Sequence, residues 1–279
     1  MRLRHLGPDD VPEAAQLTAQ AFGGAPREAR LRRYLRLEPE GWFALEGTRG
    51  LVGIGGVVRY QGFAWLGLMA VRSDRKGRGL GRAIAETAIE WARAHGCPTV
   101  CLIATAAGLP LYERLGFVPD GESHELSYAA PAPSDAPAPG YCSVLPWRPG
   151  DTADVARFDE PAFGCDRSTV LSAYAEEFAR SSWIARDAAG AARGFLVVQD
   201  DSLGPWTAED DGTARQLLDV ALAEVRRPLR VGLIDTGTQR LLRDRGFTLT
   251  RALPRMRLGP PIVRKPQPRL LAHASYAVG

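Results

Sequence analysis

The sequence predicts two tandem α/β units, each a sheet flanked by helices, and three observations carry that expectation. The chain repeats itself, both halves alternate short strands with helices, and a Pro/Ala stretch lies between them. LGPDDVPEAAQLTAQAFG at 6–23 aligns without a gap on WRPGDTADVARFDEPAFG at 147–164, which sets Pro8 on Pro149 and Asp10 on Asp151. WFALEGTRGLVGIGGVV at 42–58 falls on WIARDAAGAARGFLVVQ at 183–199, and IATAAGLPLYERLGF at 103–117 on LIDTGTQRLLRDRGF at 233–247. Shared order over three segments marks an internal duplication. The stretch APAPSDAPAPG at 130–140 has nothing to bury and favours an extended spacer. The expected domains are therefore 1–129 and 141–260, with a C-terminal tail at 261–279.

Each element of the first half has a local reason. RLRHL reads as a strand, and Asp9 or Asp10 can cap the helix whose first turn holds Pro12 and Glu13. WFALEG, LVGIGGVVRY and FAWLGLMAV are consecutive strands by their aromatic and β-branched content, broken at Gly50 and at Gln61-Gly62. RAIAETAIEWARAHG places Ile84, Ala88 and Trp91 on one helical stripe, and Gly96 with Pro98 ends it. TVCLIAT is a buried strand, GLPLYERLGF a short helix closed by Gly116, and ESHELSY a last strand.

Composition excludes several classes. With 279 residues, 45% hydrophobic and 24% charged, the chain can bury two cores. Net charge is only +3, the cations are arginines apart from Lys76 and Lys265, and acids are interspersed among them. No nucleic-acid partner is expected. No run approaches the roughly 18 apolar residues of a membrane span, and MRLRHLGPDD lacks the apolar segment of a signal peptide, so a cytoplasmic location without a membrane partner is expected. Cys97, Cys101, Cys142 and Cys165 match no metal-ligand spacing, which predicts reduced packing cysteines and no metal.

DRKGRGLGRAI at 74–84 is the segment that carries chemistry. Gly77, Gly79 and Gly81 between a strand and a helix leave successive amides uncovered at a helix N-terminus, with Lys76, Arg78 and Arg82 around them. Such a loop cradles an anion such as phosphate. It lacks the Gly-Lys-Ser/Thr of a P-loop and the distal acid of a dinucleotide fingerprint.

On these residues the chain resembles the GNAT superfamily of N-acetyltransferases, whose acetyl-CoA motif is a basic residue or Gln followed by xxGxG/A after the fourth strand. Lys76, Gly79 and Gly81 match it, with Lys where the family usually has Arg or Gln. YERLGF at 112–117 is similar to the second family motif, so the resemblance makes Tyr112 the general acid that returns a proton to sulfur. It further implies that Met69, Ala70 and Val71 pair with the pantetheine arm, that Gly77 to Arg82, including Leu80, hold pyrophosphate, and that Thr105 and Gly108 join the cofactor site. ATAAGLPLYERLGF together with LGPWTAED, RGF and PRMRLG resembles the two-domain bacterial YitH-type subgroup. The implied fold is a pair of GNAT-like domains, each a mixed, mostly antiparallel sheet flanked by helices.

The implied activity is direct acetyl transfer from acetyl-CoA to an amine, expected to be a small molecule bound between the two domains. FAWLGLMAV contains no acid, which leaves Glu46 on the preceding hairpin as candidate base or as a plain solvated strand end. Tyr112 equally suits core packing. In the second half the glycine loop is reduced to Glu209, Asp210 and Asp211, and Tyr112 becomes Leu242, so that half should bind no acetyl-CoA in the same way. Asp159, Glu160, Asp166, Glu209 and Asp210 are either helix caps or acids that favour a cationic acceptor. An acetyl-CoA sensor without turnover is the alternative activity.

Overall fold

A computed structural model describes residues 1–129 and 142–279. The expected spacer at 130–140 lies outside the described residues. The first half runs β1 (Arg2–His5), α1 (Val11–Phe22), α2 (Glu28–Leu37), β2 (Trp42–Gly47), β3 (Gly50–Tyr60), β4 (Phe63–Val71), α3 (Leu80–Ala94), β5 (Thr99–Ile103), α4 (Leu109–Arg114) and β6 (Val118–Tyr128). The second half repeats that order as β7 (Ser143–Pro146), α5 (Thr152–Phe163), α6 (Ser168–Glu177), β8 (Ser182–Arg186), β9 (Ala192–Val198), β10 (Ser202–Ala208), α7 (Asp211–Glu224), β11 (Leu229–Leu233), α8 (Gln239–Arg243) and β12 (Thr248–Leu258). One strand, β13 (Arg269–Ala272), has no counterpart in the first half.

The repeated Pro-Asp turn has a repeated cause. Asp10 does not cap α1 with its side chain; its carboxylate accepts from Gly7 N at 2.7 Å and from Arg4 at 2.6 and 2.8 Å. Asp151, its counterpart, accepts from Arg148 N at 2.8 Å and from Arg186 at 2.6 Å. Each carboxylate thus satisfies an amide at the strand-to-helix turn. Helix α3 buries Ile84, Ala85, Ala88 and Ala92 fully, as its apolar stripe requires, and packs on a cluster that includes Ala64, Leu66 and Val100.

The described chain forms two compact units. The first contains Met1–Asp120, Arg255–Pro261 and Tyr276–Gly279, and the second Gly121–Pro254 and Ile262–Ser275. Neither is one contiguous stretch, so boundaries at 129, 141 and 260 do not describe them. The repeats exchange their last strands: β5 pairs antiparallel with Arg255–Leu258 of β12, and β11 with His124–Tyr128 of β6. A fifth-strand edge needs its amides and carbonyls paired, and either repeat's last strand can supply that ladder.

In the first unit β1, β2, β3 and β4 pair antiparallel in that order, and β4 pairs parallel with β5. In the second, β7, β8, β9 and β10 are antiparallel, and β13 lies between β10 and β11. The strand pairing within each unit is mixed and mostly antiparallel. The segment 261–279 is no loose tail, since it holds β13 and ends in the buried Ala277 and Val278.

Candidate active site

Strand β4 pairs with β5 only from Phe63 to Trp65, opposite Thr99 to Cys101. Beyond Trp65 the two strands part. Along the other edge the register to β3 shifts between Gly56–Gly67 and Ile54–Ala70, so Leu68 and Met69 together face Gly55. That bulge carries Leu68 at φ 52°, the one non-glycine residue with positive φ among those described. The parting leaves the β5-facing edge of Met69, Ala70 and Val71 without a ladder to β5.

The glycine loop comes at the end of this opening. Gly77 and Gly79 have φ of 75° and 74°, and a Cβ at either would meet nothing within 4 Å. Positive φ explains glycine there, because a side chain would be strained although space exists. Gly79 is the N-cap of α3 without a side-chain capping bond. Among the described residues, the six amides from Gly77 to Arg82 donate to no backbone or side-chain acceptor. Lys76 and Arg78 form no ion pair with a described residue, whereas Arg82 is bound to Glu86 at 2.8 Å and Arg72 to Asp74 at 2.8 Å. These donors and free cations fit a phosphate-bearing group.

Helix α4 closes the same corner. A Cβ on Gly81 would stand 3.7 Å from both Leu111 Cδ2 and Val71 Cγ2, which brings the end of β4, the start of α3 and α4 together. Thr105 accepts from Gly108 N and Leu109 N at 2.9 Å and so starts α4. Tyr112 is 6% exposed, packs edge-on against Phe117 at 5.7 Å, and shares the apolar cluster with Leu66 and Ile84, against which Met69 also packs. Its hydroxyl has no hydrogen-bond partner among the described residues, and burial raises its pKa above the usual range. The group is therefore a neutral donor at physiological pH.

Glu46 lies elsewhere. It is at the far end of β2, opposite Leu51 of β3, and binds Arg4 Nε at 3.1 Å. β3 separates it from β4, so the sequence-nominated base is a strand-end ion pair. Asp159, Asp166, Glu209 and Asp210 of the second half also have structural partners. Asp159 and Arg167 are wholly buried together at 2.6 and 2.9 Å, with Thr207 Oγ1 donating to Asp159 at 2.7 Å. Asp166 accepts from Ser168 N at 2.7 Å at the start of α6, and Glu209 binds Arg193 at 2.7 Å. Asp210 caps α7 by accepting from Thr213 N at 2.7 Å. The helix terminus equivalent to the glycine loop thus carries its own anion.

Two features had no clear signal in the sequence. The Leu68 bulge has no residue signature, since leucine rarely takes positive φ. The filling of the β10–β11 opening by β13 was hidden because that strand comes from the expected tail; RLLA at 269–272 was the available apolar signal.

Residues 11–117 match the Acetyltransferase (GNAT) family and residues 155–272 the Acetyltransferase (GNAT) domain. The chain therefore belongs to the GNAT acetyltransferases and carries two such domains in tandem, a class that uses acetyl-CoA as acyl donor. Over 172 residues it is 28% identical to YitH of Bacillus subtilis, described as an uncharacterized N-acetyltransferase. That match covers 60% of this chain and 59% of YitH. The fold is shared with a Pyrococcus horikoshii protein described as an acetyltransferase, at TM-score 0.83 and 24% identity over 100% of this chain and 95% of that one. A tandem GNAT protein from the clavulanic acid biosynthesis pathway aligns at TM-score 0.62 and 17% identity, covering 93% of this chain and 99% of its own.

Proposed function

We propose that the first unit catalyses direct transfer of an acetyl group from acetyl-CoA to the amine of a small molecule, at the opening between β4 and β5. The observation that carries this reading is the run of six unpartnered amides from Gly77 to Arg82, set at the end of a strand pair that has parted. Those amides, with Lys76 and Arg78, would hold the pyrophosphate, and the free edge of Met69, Ala70 and Val71 would take the amide arm. Thr105 and Gly108, which start α4, would complete the cofactor site. When bound, acetyl-CoA supplies the thioester carbon under attack and a thiolate as leaving group.

The chain's own groups then divide the work. A backbone NH of the Leu68–Met69 bulge stabilises developing negative charge on oxygen. Tyr112, kept protonated by burial, delivers its proton toward sulfur. The amine must arrive neutral, and Glu46 is held by Arg4, so desolvation would lower the ammonium pKa and release that proton to water before attack, and the proton lost from nitrogen as the C–S bond breaks would restore the Tyr112 hydroxyl through solvent. Calorimetry should find one acetyl-CoA site per chain, because α7 is capped by Asp210. Thiol release with a panel of small amines then tests turnover. Two equal sites would sink the assignment to the first unit, and binding without thiol release from any amine would make the protein a sensor.

A further inference from the structure

The repeat aligns FAWLGLMAV at 63–71 with DDSLGPWTA at 200–208, which makes Gly204 the counterpart of Gly67. Both glycines sit where the fourth strand of a unit leaves the fifth. The β4–β5 pairing ends at Trp65, and the β10–β11 pairing at Leu203. Each glycine also touches the backbone of the same C-terminal segment. A Cβ on Gly204 would fall 2.0 Å from His273 O, and one on Gly67 would fall 2.4 Å from Ala277 Cα. Neither contact tolerates a side chain.

Beyond these glycines the units diverge. In the second unit β13 continues into the opening and pairs with Trp206, Thr207 and Ala208 of β10 and with Leu233 of β11. Its backbone takes the ladder positions left free by the parted strands. In the first unit residues 276–278 of the segment lie against the apex. Trp65 Nε1 donates to Tyr276 O at 3.2 Å, Tyr60 donates its hydroxyl hydrogen to Val278 O, and Ala277 and Val278 are 4% and 0% exposed. The edge from Leu68 onward stays open.

Alternation along β4 fixes the face. Ala64 and Leu66 join the cluster of Ile84 and Tyr112, so Trp65 and Gly67 point the other way. With the proton donor Tyr112 on one face, the leaving sulfur belongs on that side, and a nucleophile reaches the carbonyl from the face that Ala277 covers. We propose that Tyr276–Gly279 is a wall of the acceptor site in the first unit, which excludes water and acceptors larger than a small amine. The proposal rests on the reading of the β4–β5 opening as the acetyl-CoA site.

The test compares the full chain with Tyr60→Phe/Trp65→Phe, which removes two hydrogen bonds to the segment, and with a chain ending at Ser275. Hydrogen exchange at residues 276–279 should quicken in the double variant. Calorimetric affinity for acetyl-CoA should stay within about twofold of wild type, since the amide loop is untouched. Thiol release without amine, in which water adds to the thioester, the C–S bond breaks and acetate and CoA thiol leave, should rise about fivefold or more. A tripeptide N-terminus should become an acceptor in the variants only. Unchanged hydrolysis and acceptor range with affinity retained would overturn the wall and leave the acetyl-CoA site standing. Affinity and thiol release falling together would reduce the segment to a structural part. A wild-type chain that binds no acetyl-CoA would overturn both readings.

Discussion

In the proposed acetyl-CoA site, Gly79 is where a single added atom would decide binding. Its φ of 74° and open surroundings mean that a methyl group would meet strain but no clash. Gly79→Ala should weaken acetyl-CoA roughly tenfold, from about 1–2 kcal/mol of left-handed strain, as read by calorimetry. Gly79→Asp adds a negative charge at the cradle and should abolish binding. Tyr112 carries the chemistry in this reading, so Tyr112→Phe should lower turnover by roughly 10² with affinity nearly unchanged. Full activity in that variant would return Tyr112 to the packing role its apolar surroundings also suit. Tyr112 and the glycines were legible in sequence because their neighbours in the chain form recognisable runs. The pairing of Glu46 with Arg4 was not, since it joins residues 42 apart across two strands.

At the scale of elements, the acids of the second half act on their own helices and strands. Asp159 on α5 holds Arg167, which also lies 4.1 Å over the Phe163 ring, and Thr207 of β10 completes the group. Asp159→Asn removes the buried carboxylate charge that binds Arg167 at 2.6 and 2.9 Å and should cost about 3–5 kcal/mol in urea denaturation. The Asp10 turn sets a pH dependence. Hydrogen bonding to Arg4, against the cost of burial and with help from the Gly7 amide, holds its carboxyl below the usual range. A depressed folded pKa contributes stability above the unfolded value and loses it as pH falls through the folded one. Melting temperature should therefore drop below about pH 4 in wild type, and Asp10→Asn should flatten that limb while lowering stability near neutrality by about 1 kcal/mol. An unchanged acid limb in the variant would assign the effect to other carboxylates.

For the whole molecule, the exchange of last strands forbids a simple division at the spacer. A chain of residues 1–140 lacks Arg255–Leu258 beside β5 and the segment that covers Gly67 and Trp65. It presents an unpaired strand edge and an uncovered apolar face, so it should aggregate or fail to bind acetyl-CoA, as read by sedimentation and calorimetry. A monomeric fragment with wild-type affinity would show that the exchanged strand is dispensable.

Local sequence was enough for the duplication, nearly every strand and helix, and the glycine loop at the start of α3, because hydrophobic period, capping chemistry and glycine placement act over a few residues. WFALEG at 42–47 and FAWLGLMAV at 63–71 are strands over their whole length, as their residues predict. Which last strand completes which unit was settled only in three dimensions, since β6 and β12 come after equivalent short helices and each carries its own ladder of amides and carbonyls. The same holds for residues 269–272, which fill one opening, while Ala277 packs at the apex of the other. Backbone pairing is nearly blind to side chains. The packing of Ala277 on Gly67 and of His273 on Gly204, each close enough to exclude a Cβ, accompanies that outcome.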